Sequence, residues 1–381
     1  MKLFIQKHLY VLSDSTMKLL AIDIGTGTQD ILLYDSTKEG ENNYNMIVPS
    51  PTVTIAKKIK TTTNDRKNIL LTGDVMGGGP CVKAIKNHLA SNLEIYSTVD
   101  AAFTIKDNIE TVKSLGINVI ADKAEMPSNE NLVEIRMSDL NLSSLEYILN
   151  EFELDLPNKI AIAVQDHGYS PDISNRIFRF KHLKEGIEKD GSILNFTYTH
   201  TSIPSYLNRM KAVSRVTYDY EAVFMDTGIA AIFGAILDPM PTQPCIVINV
   251  GNGHTLVALV NNQKIIGIFE HHTSSIQWNE FKNKLIRFAD NELSFDEIYE
   301  EGGHGCYVKE KVGFDNICSI VITGPKRYDI LQTDLINHDK NNKMKVYFAT
   351  PMGNMMLSGC YGLVDAFNKI TKNKKSSGKN L

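Results

Sequence analysis

Asp23, Gly25, Thr26, Gly27 and Thr28 stand between two apolar runs in AIDIGTGTQDILLYD, residues 21–35. A tight hairpin needs a glycine or two. It needs neither an aspartate on the last strand residue nor two threonine hydroxyls beside the turn. A polyphosphate does need them. Backbone N–H groups reach phosphate oxygens only where no Cβ intervenes, hydroxyls add donors, and a carboxylate holds hydrated Mg2+ through water. The segment VINVGNGHTLVALV repeats the pattern: an apolar strand, Asn249, Gly251-Asn252-Gly253-His254, then Thr255 and another apolar strand. One Gly-x-Gly turn is a weak signal; two in register, one in each half of the chain, are far more specific.

Other groups stand at places where chemistry is done. Asp226 ends the strand YEAVFM before the small-residue helix IAAIFGAILD. A carboxylate there caps the helix or, kept ionised by the helix dipole, accepts a proton, and the two roles are compatible. Gln165, Asp166, His167 and Tyr169 leave the apolar strand KIAIAV, where α/β proteins place ligand groups. Substrate contact, metal binding and a plain polar strand exit all remain open there. Gly77–Gly79 either hold an anion at a helix start or make a tight turn. His304 and Cys306 in EGGHGCY, with His271 and His272 before them, need further converging ligands to make a metal site.

The elements that must position these groups alternate. Strands end at Asp23, Gly73, Gln165, Asp226, Asn249 and Gly324, and helical spacing follows most of them, a pattern of sheets covered by helices. With 381 residues, 43% hydrophobic and 22% charged, the chain has room for two domains. A formal charge of −4 with no basic stripe argues against a nucleic-acid surface. Five scattered cysteines, Cys81, Cys245, Cys306, Cys318 and Cys360, fit a reducing cytoplasm better than a disulfide framework. No apolar run approaches a membrane span. The start looks faintly like a secretion signal, but Lys7 and His8 interrupt it and no small-residue cleavage site follows. Met17-Lys18 stands directly before the first strand, so residues 1–16 are expected to be an extension, or an upstream start choice, outside the fold. Residues 371–381, polar and basic, are expected to form a disordered tail.

These motifs resemble those of the superfamily of actin, sugar kinases and heat-shock chaperone ATPases. Its first phosphate motif matches Asp23–Thr28, with Gln29 following, and its second matches Asn249–Thr255. Its adenosine motif is similar to IVITGPKR, with Thr323, Gly324, Lys326 and Arg327. Its two connecting helices resemble DTGIAAIFGAIL and GNMMLSGCYGLVDAF. The resemblance covers residues 18–370 and implies an α/β fold of two ribonuclease-H-like (actin-like ATPase) domains flanking a nucleotide cleft. Residues 18–240 would be the first domain with insertions, 241–352 the second, and 353–370 a helix returning to the first. ATP and Mg2+ are the implied cofactors, with Asp23 on the metal.

The chain departs from that pattern at Asn249, where actin-like and chaperone ATPases carry an aspartate, and at Pro325, directly after Gly324. ATP binding is therefore expected, and hydrolysis by the usual route is not. VFMDTGIAAIFGAILD resembles the Asn-Asp-Ala-Asn-Ala-Ala segment of repressor-and-sugar-kinase proteins, whose aspartate deprotonates the acceptor hydroxyl. Asp226 stands at that position, and Asp166 is the alternative base. The expected function is an ATP-dependent phosphotransferase acting on a small-molecule acceptor. The rival is a non-catalytic ATP-dependent switch or maturation factor that acts on a protein partner such as a metalloenzyme. More narrowly, the chain resembles an archaeal domain of unknown function whose members are labelled pyruvate formate-lyase-activating enzymes. Radical activases hold an iron–sulfur cluster with three closely spaced cysteines. Here the nearest pair, Cys306 and Cys318, is twelve positions apart, so the residues do not support that label.

Overall fold

The structure, a computed structural model, describes residues 16–121, 131–335 and 344–377. The expected extension lies outside the described residues apart from Thr16, as do 378–381 of the expected tail. The chain first lays down β1 (Lys18–Ile24), β2 (Thr28–Asp35) and β3 (Tyr44–Pro49) as an antiparallel meander. After α1 (Pro51–Asn64) come β4 (Asn68–Gly73), α2 (Gly79–Ala90), β5 (Ile95–Thr98), α3 (Val99–Ala102), α4 (Ile109–Ser114), β6 (Ile117–Ile120) and β7 (Leu132–Met137). The first half ends with α5 (Leu142–Glu151), β8 (Lys159–Val164), α6 (Asn175–Lys189), β9 (Thr197–Thr199), α7 (Asn208–Val216), β10 (Glu221–Met225) and α8 (Thr227–Ala235). The second half opens with β11 (Cys245–Val250), β12 (His254–Asn261) and β13 (Lys264–His272). It continues through α9 (Trp278–Ala289), α10 (Phe295–Glu300), β14 (Gly305–Val308), β15 (Ser319–Thr323), β16 (Lys345–Phe348) and α11 (Ser358–Ser377). α11 thus runs seven residues into the stretch expected to be a tail.

One strand order occurs twice. The first sheet runs β3-β2-β1-β8-β10-β9 and the second β14-β13-β12-β11-β15-β16. In each, a meander of three antiparallel strands continues into two strands parallel to its first: β8 and β10 beyond β1, β15 and β16 beyond β11. That is the ribonuclease-H-like order the resemblance implies, present in both halves. A third, all-parallel sheet, β6-β5-β4-β7, is inserted between β3 and β8.

The strands read as near-continuous apolar runs because both faces are covered. Side chains alternate across a strand. On β1, Leu19 and Ala21 enter the core between the two large sheets, while Leu20, Ile22 and Ile24 enter the outer core of the first. Likewise Cys245 and Val247 of β11 point inward, and Ile246 and Ile248 outward. α8 and α11 cross inside the shared core. A Cβ on Gly234 would overlap the Ser358 carbonyl, and one on Gly362 would overlap that of Ala230. The two helices therefore touch backbone to backbone, which explains the small residues in both segments.

Candidate functional site

The two Gly-x-Gly turns are built alike. Gly25 N–H donates to Thr28 O at 2.9 Å, and Gly251 N–H donates to His254 O at the same distance. Ser50, just after β3, ties down the first turn through N–H to Gly27 O (3.1 Å) and Oγ to Thr26 O (2.8 Å). Thr273, just after β13, does the same for the second, through N–H to Gly253 O (3.0 Å) and Oγ1 to Gly251 O (2.8 Å). Carbonyls that would repel an anion are thus already engaged. A Cβ on Gly27 would collide with the Asn252 side chain, and one on Gly253 would sit 3.3 Å from Thr26 Oγ1. The turns meet face to face across one cleft, as the resemblance implies.

Asp23 and Asp30 are opposed residues of β1 and β2, at the floor of the cleft. Thr227 Oγ1 donates to Asp23 Oδ1 at 2.5 Å, while Asp30 Oδ1 is buried without a partner. Burial pushes the Asp23 carboxyl up from an ordinary 3.8 to about 8, and the neighbouring Asp30 charge adds to the shift. Burial also raises Asp30 to about 7, against a hydrogen bond from Thr28. Two buried acids with an unfilled oxygen lone pair fit a hydrated divalent cation.

A pH dependence follows. Both acids are harder to ionise in the fold than in the unfolded chain. The stability they contribute is complete below about pH 4 and is lost as pH rises through about 7 and then about 8. A cation that replaces the protons offsets that loss. Mg2+ should therefore raise the thermal midpoint more near pH 8.5 than near pH 6. An equal effect at both pH values, or an undiminished one in Asp30→Asn, would remove the pair from a cation site.

The remaining expected residues divide. Asn249, Asn252, His254 and Asp166 line the cleft, a cavity of about 400 Å³, together with Gly25, Thr26, Thr28, Gly251 and Gly253. The Gly77–Gly79 loop closes one side, where a Cβ on Gly79 would lie 3.3 Å from Thr26 Cγ2. Thr255 is buried beneath its turn and pairs with Thr273 at 3.0 Å, and Gln29 is also buried behind its turn. Thr323 Oγ1 lies 2.9 Å from Ser358 Oγ, and Gly324 (φ +97°) packs against Asn249 Oδ1 and Val250 O. Pro325 lines the cleft, whereas Lys326 and Arg327 do not, and the Arg327 guanidinium lies over the Tyr328 ring. The supposed His304–Cys306 pair separates: Cys306 enters the outer core of the second sheet, and the His304 ring lies against His254 and His272. His271 turns away toward Glu301, 3.6 Å from its Nε2.

Asp226 is engaged on every side. Its Oδ1 accepts from Gly228 N (3.0 Å) and Ile229 N (3.4 Å), so it caps α8. Arg179 of α6 adds two bonds, 2.6 Å to Oδ2 and 3.1 Å to Oδ1. The same guanidinium grips Glu270 of β13 in the other lobe, with Nε 2.8 Å from Oε2. Burial opposes ionisation of Glu270, but Arg179 holds its carboxyl below the usual carboxylate range. Asp166 accepts N–H bonds from Gly168 and Met210, both at 2.8 Å, and burial still raises it to about 6.

A family model described as "Putative pyruvate format-lyase activating enzyme (DUF1786)" matches residues 76–329. The chain belongs to that family. The matched stretch runs from the Gly77–Gly79 loop to just beyond Arg327, so it takes in both lobes of the cleft. None of the curated proteins matches the chain. Similar solved structures include the activator of the 2-hydroxyisocaproyl-CoA dehydratase from Clostridium difficile with bound ADPNP, at 9% identity, 96% of this chain, 99% of that one and a TM-score of 0.32. MreB 5 of Spiroplasma citri bound to AMPPNP is similar at 12% identity, 96% and 99% coverage and a TM-score of 0.33. Glucokinase from Balamuthia mandrillaris in complex with glucose is similar at 8% identity, 94% and 95% coverage and a TM-score of 0.30. The fold assignment is carried by the doubled strand order.

The family's description implies an iron–sulfur cluster, and the cysteines do not fit one. Cys81 lies in the core of the insert, Cys306 in the outer core of the second sheet, and Cys360 on α11 in the shared core. Only Cys245 and Cys318, beside each other at the starts of β11 and β15, are neighbours.

Proposed function

We propose that this protein binds MgATP in the cleft and couples the bound nucleotide to the relation between its two lobes. The β- and γ-phosphates lie between the two turns, and Asp23 and Asp30 hold the hydrated cation. The observation that supports this most is the meeting of two Gly-x-Gly turns, closed by the same backbone bonds, above a buried pair of acids. Arg179 makes the cleft a switch as well as a receptacle, because it joins Asp226 of one lobe to Glu270 of the other beside the phosphate site. With Asn249 in place of a carboxylate and Asp226 clamped by Arg179, the usual bases for attack on ATP are absent or engaged.

A second reading, a small-molecule phosphotransferase, has one observation in its favour. Asp166 lines the cleft and is raised to about 6, near the value a general base needs at neutral pH. Calorimetric titration with ATP, with and without Mg2+, tests the binding common to both readings; no uptake of ATP would sink both. Phosphate transfer across a panel of metabolites then separates them. The switch reading expects no acceptor-dependent turnover. Turnover that falls about a hundredfold in Asp166→Asn and little in Asp226→Asn would establish the transferase instead.

A further inference from the structure

Four imidazoles gather at the inner end of the cleft. His167 leaves β8 of the first lobe, His254 opens β12, His272 ends β13, and His304 precedes β14. Ring centroids are 5.7 Å apart for His167–His254, 5.6 Å for His167–His304 and 4.9 Å for His254–His304. One nitrogen from each of His167, His254 and His304 lies within 4.8 Å of the other two. His304 is fully buried, and neither of its ring nitrogens has a hydrogen-bond partner. His254 Nε2 is buried and unpartnered as well. Leaving a buried polar group unmet is costly, and a shared cation would satisfy one nitrogen of each ring.

We propose that His167, His254 and His304 form a binding site for a divalent transition-metal cation of the zinc class, with an open coordination position facing the cleft. Imidazole nitrogens suit Zn2+ and its first-row neighbours, and a three-histidine set leaves one tetrahedral position for water or a ligand oxygen. Metal–nitrogen bonds of about 2.0–2.1 Å put ligand nitrogens about 3.4 Å apart, so the rings need only turn inward by about an ångström. His167 and His254 line the cleft while His304 lies behind them, which directs the open position toward the cleft. Glu270 and Asp226 place two carboxylates beside the rings, alongside the guanidinium of Arg179 and that of Arg176, which donates to Gly303 O next to His304.

Gln165 positions the set. Its side-chain amide lies 2.9 Å from His254 Nδ1. The same amide nitrogen donates to Glu270 Oε1 at 3.3 Å, so it ties the His254 ring to the Arg179–Glu270 pair.

The test uses the full chain, stripped with a chelator and free of nucleotide, in equilibrium dialysis against Zn2+ and in optical titration with Co2+. Binding of a single Zn2+, with visible ligand-field bands from Co2+, is expected. Both should weaken at least tenfold in His167→Ala and His304→Ala and persist in Cys318→Ser. His304→Gln, which keeps the ring's volume, serves if the alanine variant fails to fold. Circular dichroism of the metal-free variants checks that each is native. Equal affinity and spectra in the native histidine variants would overturn the site, as would loss of binding in Cys318→Ser or no binding at all. Because nucleotide is absent, failure here leaves the MgATP reading untouched, and failure of that reading leaves this one standing.

Discussion

Arg179→Met should lower the stability of the protein by about 3–5 kcal/mol, measured by urea unfolding at neutral pH. The guanidinium is 3% exposed and Glu270 is 1% exposed, so removing the cation leaves Glu270 charged and buried with its main partner gone. Methionine fills nearly the same space, which separates the loss of charge from the loss of packing. A cluster neutralised as a whole behaves differently from a broken one. Adding Glu270→Gln and Asp226→Asn to the Arg179→Met variant should therefore restore much of the loss. A cost below about 1 kcal/mol in the single variant, or no recovery in the triple, would show that the lobes are not held by this cluster.

Asp23→Asn should move affinity and stability in opposite directions. Asparagine keeps the Thr227 contact but cannot supply a negative oxygen to the water shell of Mg2+. Losing two charge-assisted contacts, about 1.5 kcal/mol each, weakens MgATP binding roughly a hundredfold, whereas binding of ATP without Mg2+ changes little. The same substitution removes a carboxyl that the fold holds protonated up to about pH 8, so the variant should unfold at a higher temperature above that pH. A side chain kept for packing would not weaken the ligand and strengthen the fold at once. Unchanged calorimetric affinity would take Asp23 out of the site.

Much of this cleft is legible in the sequence because its parts are local. Each phosphate turn is a contiguous strand–Gly-x-Gly–strand segment, and a hairpin pairs residues that are close in the chain. Asp30 was legible on the same basis, since a turn centred between Thr26 and Gly27 sets it opposite Asp23, yet the motif reading stops one residue short, at Gln29. Glu270 carried a weaker sign, a lone acid inside the apolar run KIIGIFEHH. Arg179 carried none: it sits in a helix that reads as ordinary amphipathic sequence, and its partners lie 47 and 91 residues away. Such pairings follow from how the two sheets stack, which local pattern does not encode. The insert's strands were legible, since NILLTG, LEIYSTVD and INVIAD read as strands alternating with helices, but their pairing into a separate third sheet was not, because local pattern does not encode which strands pair.

The glycine crossing of α8 and α11 has a mechanical meaning. The polypeptide passes between the lobes at two places, through residues 236–244 after α8 and residues 349–357 before α11, and both lead to that crossing. Helices in contact through their backbones can roll on one another without lifting side chains out of their grooves, so in the proposed switch the crossing would act as a bearing. The Arg179–Glu270 pair lies on the cleft side and would act as its latch. Substitutions at the bearing should change how readily the lobes turn, while substitutions at the latch should change the angle at which they come to rest. Two faults that look alike in an activity assay would thus separate in the rate and the extent of closure.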